Sequence, residues 1–341
     1  MSSYYKKINN LFHSWLLISF AMIFMIVIVG GLTRLTNSGL SITQWELFSG
    51  ILPPLNKESW NDYFELYKNI PQYNLINNDM SLLEFKVIFY WEYVHRILAR
   101  LIGLFFLIPL IYFYIKKDIK KEYLSTCFII SFLIILQGCI GWYMVTSGLV
   151  NNISVSHYRL SIHLVLAFII ISLIFWMLLN IRQKKAKKFF HTNKYSYIYY
   201  LLIFLVFSQI ILGAFVSGLD AGQIYQTWPL MNQNYFPNDI TVLFLTDLLD
   251  FNNRSLVQFY HRNLAYIVSI YILMIGFFVV RKKVSRLLKP YFLLITFLIV
   301  QIFLGVVTLI SGLNIFLASA HQICSLLLIL SAINLYYNYI K

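Results

Sequence analysis

Residues 290–340 read PYFLLITFLIVQIFLGVVTLISGLNIFLASAHQICSLLLILSAINLYYNYI, and no Asp, Glu, Lys or Arg interrupts them. A helix that crosses about 30 Å of hydrocarbon at about 1.5 Å per residue needs about 20 apolar residues, so this run is too long for one crossing. Ser311-Gly312-Leu313-Asn314 supplies turn chemistry in its middle. The stretch therefore predicts two spans, roughly 290–311 and 314–338, joined by a tight turn. The same length test applied outward along the chain finds six more, at roughly 14–33, 90–115, 123–147, 158–181, 196–218 and 256–280.

Composition agrees with a membrane class. Of the 341 residues, 60% are hydrophobic and 12% charged, where an ordinary soluble domain carries about 25% charged residues. That gap excludes a water-soluble globular protein. The 14 Gly and 7 Pro are too few for a collagenous or disordered chain, and the 25 Tyr, 29 Phe and 7 Trp suit a polypeptide that crosses a lipid interface.

Orientation is read from the 27 Lys and Arg, because positive charge is retained on the cytoplasmic side. Lys6 and Lys7, then Lys116, Lys117, Lys120 and Lys121, then 182–194 and 281–289, alternate between spans with loops poor in basic residues. Both termini are predicted to be cytoplasmic. Only Asp118 and Glu122 among the 13 acids fall on the inner side, so the net charge of +14 is a topology signal. It implies attraction to anionic membrane lipid, not nucleic-acid binding. Cys127, Cys139 and Cys324 all fall within predicted spans and read as packing residues rather than as zinc ligands or a disulfide. The first span lacks a small-residue cleavage site and is expected to stay as an anchor, which makes a bacterial inner membrane the simplest location.

An internal repeat organises the chain. At a shift of 183 residues, Gly30, Gly39 and Trp45 fall on Gly213, Gly222 and Trp228. His95-Arg96-x-Leu98-Ala99 then matches His261-Arg262-x-Leu264-Ala265. Gln137-x-x-x-Gly141 with Ser147-Gly148-Leu149 matches Gln301-x-x-x-Gly305 with Ser311-Gly312-Leu313. Each repeat has four spans, so both halves start on the same side. The expected architecture is an all-α integral membrane protein of eight transmembrane helices, arranged as two four-helix bundles related by a pseudo-twofold axis along the membrane normal. The halves are 1–194, with a long outer loop at 34–90, and 195–341, with an outer loop at 220–254. Gly138, Gly141 and Gly305 read first as helix-packing residues, which let backbones approach closely.

Seven histidines are present. His13, His157 and His191 lie near span ends or in loops. His95, His163, His261 and His321 instead fall in the outer parts of the second, fourth, sixth and eighth spans, two per repeat and at matched depth. Polar side chains inside a membrane are costly and usually face a bundle interior. Two imidazoles on neighbouring helices can ligate a flat macrocycle from both sides as neutral nitrogen donors to iron, so each bundle is expected to hold one heme. A structural zinc site wants four ligands, and a transmembrane proton relay wants acids that the inner halves of these spans lack.

Glu92 precedes His95 by three residues and shares its helix face. Gln258 occupies the matching place in the second repeat, which suggests one reactive and one auxiliary site. An ion pair with Arg96 at i+4 is the competing reading of Glu92. Arg34, Arg96, Arg100, Arg159, Arg254 and Arg262 form an outer cationic set suited either to heme propionates or to lipid headgroups. In the first outer loop, Asn56 is placed to cap a helix bearing Trp60, Phe64 and Tyr67 on one face, either covering the sites or anchoring at the interface.

Gly30-Gly31-Leu32-Thr33-Arg34-Leu35-Thr36, Gly39-Leu40-Ser41, Gly50-Ile51-Leu52-Pro53-Pro54-Leu55 and Glu92-x-x-His95-Arg96 resemble the heme A synthase family. So do Gly218-Leu219-Asp220-Ala221-Gly222 and Thr227-Trp228-Pro229-Leu230-Met231. The resemblance runs from the first span to His321. It implies conversion of heme O to heme A, the terminal-oxidase cofactor, by oxidation of a porphyrin methyl to a formyl group through successive hydroxylations. It also implies that His261 and His321 ligate a permanent heme b, that His95 and His163 hold the substrate heme O, and that Glu92 is the acidic catalytic residue beside the substrate. The heme O synthase, a protoheme farnesyltransferase, is the implied partner. Some members carry a cysteine pair in the first outer loop; this chain has none there and resembles the mitochondrial and alphaproteobacterial type. The rival functions are a diheme b-type cytochrome that exchanges electrons with quinone, and a heme transporter.

Overall fold

A computed structural model of the chain describes residues 2–45, 49–117, 119–149, 153–190, 193 and 195–340, with side chains from residue 10 onward apart from Ser49. Asp118, His191 and Lys194, together with the side chains of Lys6 and Lys7, lie outside the described residues, as does the boundary drawn after residue 194. Among the described residues the regular structure is helical, and the only β pairing is an isolated bridge between Met231 and Asn234.

Eight helices are long and apolar enough to cross a membrane. They are α1 (Ser2–Leu35), α4 (Leu82–Lys116), α5 (Lys121–Gly148), α6 (His157–Gln183), α7 (Ser196–Gly218), α8 (Arg254–Arg281), α9 (Ser285–Ile310) and α10 (Ile315–Tyr339). Two short helices, α2 (Lys57–Lys68) and α3 (Pro71–Ile76), lie between α1 and α4. The chain is thus an all-α, multi-pass membrane protein with the eight expected spans. It divides into two compact units, Met1–Ile181 and Arg182–Lys341.

Two spans begin well before the sequence reading placed them, α1 at Ser2 rather than near 14 and α4 at Leu82 rather than near 90. Ser81 and Glu84 start α4 with a reciprocal capping box: the Glu84 amide donates to the Ser81 hydroxyl at 3.3 Å, and the Ser81 amide donates to the Glu84 carboxylate at 2.8 Å. A hydropathy window registers only the apolar part of a helix, so this polar first turn escapes it. With 35 residues, α4 is about 52 Å long at about 1.5 Å per residue, and it outruns the hydrocarbon thickness. Its first two turns therefore belong to the loop region, and α2 packs there. Asn56 caps α2 by accepting from the Ser59 amide at 2.7 Å. Trp60, Phe64 and Tyr67 are buried in one cluster with Phe85, Ile88 and Phe89 of α4 and with Leu40 and Ile42. The aromatic face of α2 is therefore turned into the protein and not toward lipid headgroups.

In the first unit, Trp15 of α1 donates from its indole to the Phe105 carbonyl of α4 at 3.0 Å, and Thr33 donates to the Trp91 carbonyl at 3.2 Å. Phe20 of α1 meets Phe175 of α6, with ring centres 6.0 Å apart, and α4 packs along α5. In the second unit α7, α8, α9 and α10 contact one another in a closed ring. The turn expected at 311–314 is present: Gly312 and Leu313 take φ of +72° and +65°, and Asn314 caps α10 by accepting from the Phe316 amide at 3.0 Å. A left-handed Leu is unusual. Here its side chain is pressed over Gly222, where any Cβ would stand 2.8 Å from Leu313 Cδ2.

Cys127 and Cys324 are buried, as packing residues are, whereas Cys139 is exposed on α5, and all three are free thiols. His157, set aside in the sequence reading, is buried at the first turn of α6.

Candidate functional site

The four intramembrane histidines come together in pairs, one pair within each unit. The His95 ring of α4 faces the His163 ring of α6 with centres 6.4 Å apart, and the His261 ring of α8 faces the His321 ring of α10 with centres 6.5 Å apart. The planes are steeply inclined, at 65° and 78°. A metal–imidazole bond is about 2 Å and the ring nitrogen lies about 1 Å from its ring centre, so two imidazoles facing across one ion have centres about 6 Å apart. Both pairs have that separation.

Every one of these rings is seated on a glycine of the preceding span. A Cβ added at Gly30 of α1 would stand 3.1 Å from His95 Nε2. At Gly141 of α5 it would stand 3.1 Å from His163 Cε1, at Gly213 of α7 3.1 Å from His261 Cε1, and at Gly305 of α9 2.9 Å from His321 Cε1. Gly138, by contrast, has nothing within 4 Å. The packing role expected for Gly141 and Gly305 is therefore more specific than backbone approach: each leaves room for one imidazole.

Three of the four glycines have a glutamine one turn earlier. Gln137 donates to the His163 carbonyl at 3.0 Å and Gln209 to the His261 carbonyl at 2.9 Å, while the Gln301 amide nitrogen lies 3.3 Å from His321 Nε2. The sequence reading used Gln137 and Gln301 only as landmarks of the repeat and did not single out Gln209. Three copies of Gln-x-x-x-Gly, each on the span before a histidine span, were the available signal.

The residues fit a heme. Among the described residues no group of three or more His, Cys, Asp and Glu is assembled as a metal site, so a bare ion has too few ligands, whereas a porphyrin supplies four of its own and needs only an axial pair. Nδ1 of His163 and Nδ1 of His321 are buried without a hydrogen-bond partner. Buried unsatisfied nitrogens are costly, and they mark these rings as prepared for something beyond packing.

Glu92 lies one turn before His95 and is buried, and both of its oxygens are engaged. One accepts from Arg96 Nη2 at 2.5 Å and Nε at 3.1 Å; the other accepts from the Ser41 hydroxyl at 2.8 Å and the Ile42 amide at 2.9 Å. The ion pair foreseen as the competing reading is thus present, and Ser41 and Ile42 are partners that spacing alone did not reveal. Arg96 also donates to the Ile42 carbonyl at 2.9 Å. The second unit repeats this clamp with the sense of one bond reversed. Arg262 donates to the Tyr225 carbonyl at 3.0 Å, and Gln258 donates to the same carbonyl at 2.8 Å. Tyr225 follows Ile42 by the repeat shift of 183, so the repeat is visible in the clamp itself.

The outer arginines mostly hold loops. Arg254 donates to the Asp220 carbonyl at 2.8 Å, Arg34 to Asn37 Oδ1 at 2.9 Å and Arg159 to the Ser147 hydroxyl. Nε of Arg254 and Nε of Arg262 remain buried without an acceptor. In the second outer loop, Tyr225 donates to Asp239 Oδ1 at 2.6 Å and Ser255 donates to Asp239 Oδ2 at 2.7 Å. Partial burial would raise the Asp239 carboxyl, but these donated hydrogen bonds outweigh it and hold the group below its ordinary value. Burial first, and then the hydrogen bond to Asp239, push the Tyr225 hydroxyl up.

Residues 13–333 match the family model COX15-CtaA, described as cytochrome oxidase assembly protein. A protein of Pelagibacter ubique named heme A synthase is 52% identical over 320 residues, covering 93% of this chain and 93% of that one. A Rickettsia canadensis protein of the same name is 39% identical over 326 residues, covering 94% and 95% of the two chains. A third, from Wolbachia pipientis, is 41% identical over 316 residues, covering 92% and 88%.

Proposed function

This chain belongs to the COX15-CtaA family, which includes the heme A synthases it is similar to, and on that premise we propose that it oxidises a methyl group of heme O to the formyl group of heme A by successive hydroxylations. His95 and His163, in the half 1–194, hold the substrate heme O. His261 and His321, in the half 195–341, ligate a resident heme b. The observation that carries this reading is the two imidazole pairs, with ring centres 6.4 and 6.5 Å apart, each ring seated on a glycine.

Bound heme b supplies one-electron redox chemistry. The chain's own residues do the rest. His261 and His321 would hold the cofactor and His95 and His163 the substrate, and a glycine of the preceding span leaves room for each imidazole. Glu92 divides the roles of the two halves, because Gln258 stands in its place in the second. Four hydrogen bonds hold its carboxylate fixed one turn from His95. A preorganised carboxylate in a water-poor site stabilises positive charge that develops at a reacting carbon nearby. The aromatic cover formed by α2 over the start of α4 limits access of water. The site lies toward the outer face of the inner membrane, with both termini cytoplasmic, and heme O arrives from the protoheme farnesyltransferase that makes it.

The test is chromatography of hemes extracted from a bacterium that makes heme O but lacks its own enzyme. Heme A should appear only when the chain is expressed. A quinone-linked cytochrome or a transporter leaves the porphyrin side chains unchanged, and that result would overturn the reading. Replacing His261 or His321 should abolish the b-type spectrum of the purified protein. Glu92→Gln should leave that spectrum and accumulate heme O or a hydroxylated intermediate. Gln is already tolerated at the matching position of the second clamp, so the exchange tests chemistry more than folding. Normal heme A output from Glu92→Gln removes the residue from the mechanism.

A further inference from the structure

An imidazole that gives one ring nitrogen to iron as a neutral ligand must carry its proton on the other. Inside a membrane that second N–H needs an acceptor, and metal-ligating histidines nearly always find one in a carboxylate or carbonyl oxygen, which fixes the tautomer and raises ligand basicity. Among the described residues no carboxylate is bonded to His163, His261 or His321; a glutamine reaches the backbone carbonyl of His163, the carbonyl and ring of His261 and the ring of His321. All three glutamines, Gln137, Gln209 and Gln301, have a buried Oε1 with no partner. Two of the three imidazoles, His163 and His321, have a buried Nδ1 with no partner. Unused acceptors and unused ring nitrogens thus stand on the same helix pairs, and mutual satisfaction is the economical solution for both.

We propose that Gln137, Gln209 and Gln301 are positioning residues for the heme ligands. In each, the amide bridges one histidine, its nitrogen donating to the histidine carbonyl and its Oε1 accepting from the imidazole Nδ1–H once the ring binds iron. The first half of the bridge is made at His163 and His261, at 3.0 and 2.9 Å. At His261 the same amide nitrogen lies 3.1 Å from Nδ1, so the amide reaches both groups. At His321 the Gln301 nitrogen lies 3.3 Å from Nε2, the nitrogen that iron would take, and ligation turns the amide toward Nδ1. The terminal torsion of a glutamine is broad, so this adjustment is easy.

The fourth ligand lacks this support. One turn before Gly30 stands Ile26, whose alkyl side chain accepts no hydrogen bond. Both ligands of the cofactor heme are therefore strengthened by an acceptor, whereas the substrate heme has one strengthened ligand, His163, and one unsupported ligand, His95. His95 is also the imidazole nearest in sequence to Glu92. The asymmetry makes His95 the ligand that yields first.

The inference rests on the ligand assignment proposed above, and its test separates the two. The purified protein with its b-type heme is titrated for midpoint potential. Gln209→Met removes the acceptor at similar length. The imidazole becomes a poorer donor, the ferric form is less favoured, and the potential should rise. Loss of an outer partner typically costs about 10- to 100-fold in metal affinity, and each tenfold by which the ferric form loses more than the ferrous is about 59 mV for a one-electron couple. Gln209→Glu retains an acceptor oxygen whether or not it ionises, so its potential should stay at or below that of the parent protein. Gln301→Met and Gln301→Glu should repeat the pattern independently, and loss of heme from the Met variants alone supports the proposal equally. Equal shifts in Met and Glu variants, no shift in either, or loss of heme from both overturn it. A parent protein without a bis-imidazole spectrum refutes the ligand assignment instead. For the asymmetry, carbon monoxide added to the reduced, heme-O-loaded protein should bind the substrate heme faster than the cofactor heme, and equal rates would refute it.

Discussion

The substitution Gly305→Ala adds one methyl group at the place where α9 meets the His321 ring. Its Cβ would stand 2.9 Å from His321 Cε1 and 3.4 Å from Nδ1. Non-bonded carbons rest at about 3.5–4.0 Å, so the ring must retreat by roughly half an ångström or more. A functional ligand tolerates displacement of only about 0.5 Å, and its bond to metal is about 2 Å long, so the retreat is large on the scale of the bond. Overpacking of this kind costs about 1–3 kcal/mol, and about 1.4 kcal/mol corresponds to a factor of ten in affinity. Heme retention at the proposed His261–His321 site should therefore fall about 5- to 150-fold. Fold stability should fall by less, because Ala in a helix interior gains about 0.5–1 kcal/mol over Gly and offsets part of the strain. Gly138→Ala is the control, since nothing lies within 4 Å of the added Cβ; it should keep its heme and lose no stability. The assay is heme content per protein after challenge with an excess of a heme-scavenging apoprotein, with thermal unfolding in detergent measured in parallel. If Gly305→Ala retains heme as well as Gly138→Ala does, the His321 ring does not depend on its glycine seat and the reasoning fails.

Two further outcomes concern the outer loops. Asn56→Ala removes the cap from α2 and should destabilise that helix by about 1 kcal/mol, read as faster protease cleavage between α1 and α4; an unchanged cleavage rate would show that the aromatic cluster alone holds the cover. The Asp239 carboxyl is held low in the folded loop, so its contribution to loop order is present above its unfolded value of about 3.9 and is lost as pH falls through the lower folded value. Amide exchange in residues 225–255 should therefore quicken below about pH 4 relative to its intrinsic rate. Asp239→Asn should abolish that dependence, and persistence of the pH effect in the variant would locate it elsewhere.

Which features could be read in advance follows from the range of the forces involved. Spans, their number and the 311–314 turn are legible because hydrocarbon thickness acts on every residue of a run, and residues 290–340 register it without ambiguity. The four histidines were legible because an imidazole in a membrane is expensive and stands out. The start of α4 was not, since Ser81 and Glu84 act through two hydrogen bonds that no hydropathy window registers. Glu92 was identified, but its partners Ser41 and Ile42 lie fifty residues away in sequence and depend on how the loop returns to the helix. The glycine seats were read only in part for a similar reason: sequence indicates that a small residue is needed at Gly305, not whether a backbone or an imidazole fills the space.

The two clamps show how one frame acquires two characters. In both units an arginine next to a histidine grips a loop carbonyl, that of Ile42 or of Tyr225. In the first unit the grip includes Glu92, so the guanidinium charge is matched and a carboxylate stands one turn from His95. In the second, Gln258 carries no charge, Arg262 retains its own, and its Nε is left buried without an acceptor. A guanidinium cannot shed its proton to escape this. Among the described residues its bonds run to the carbonyls of Tyr225 and Leu230, not to a carboxylate. On the proposed assignment the substrate site thus lies beside an arginine paired with Glu92, and the cofactor site beside an arginine that grips carbonyls. A single exchange of Glu for Gln between repeats therefore leaves one clamp built on an ion pair and the other on carbonyl contacts alone.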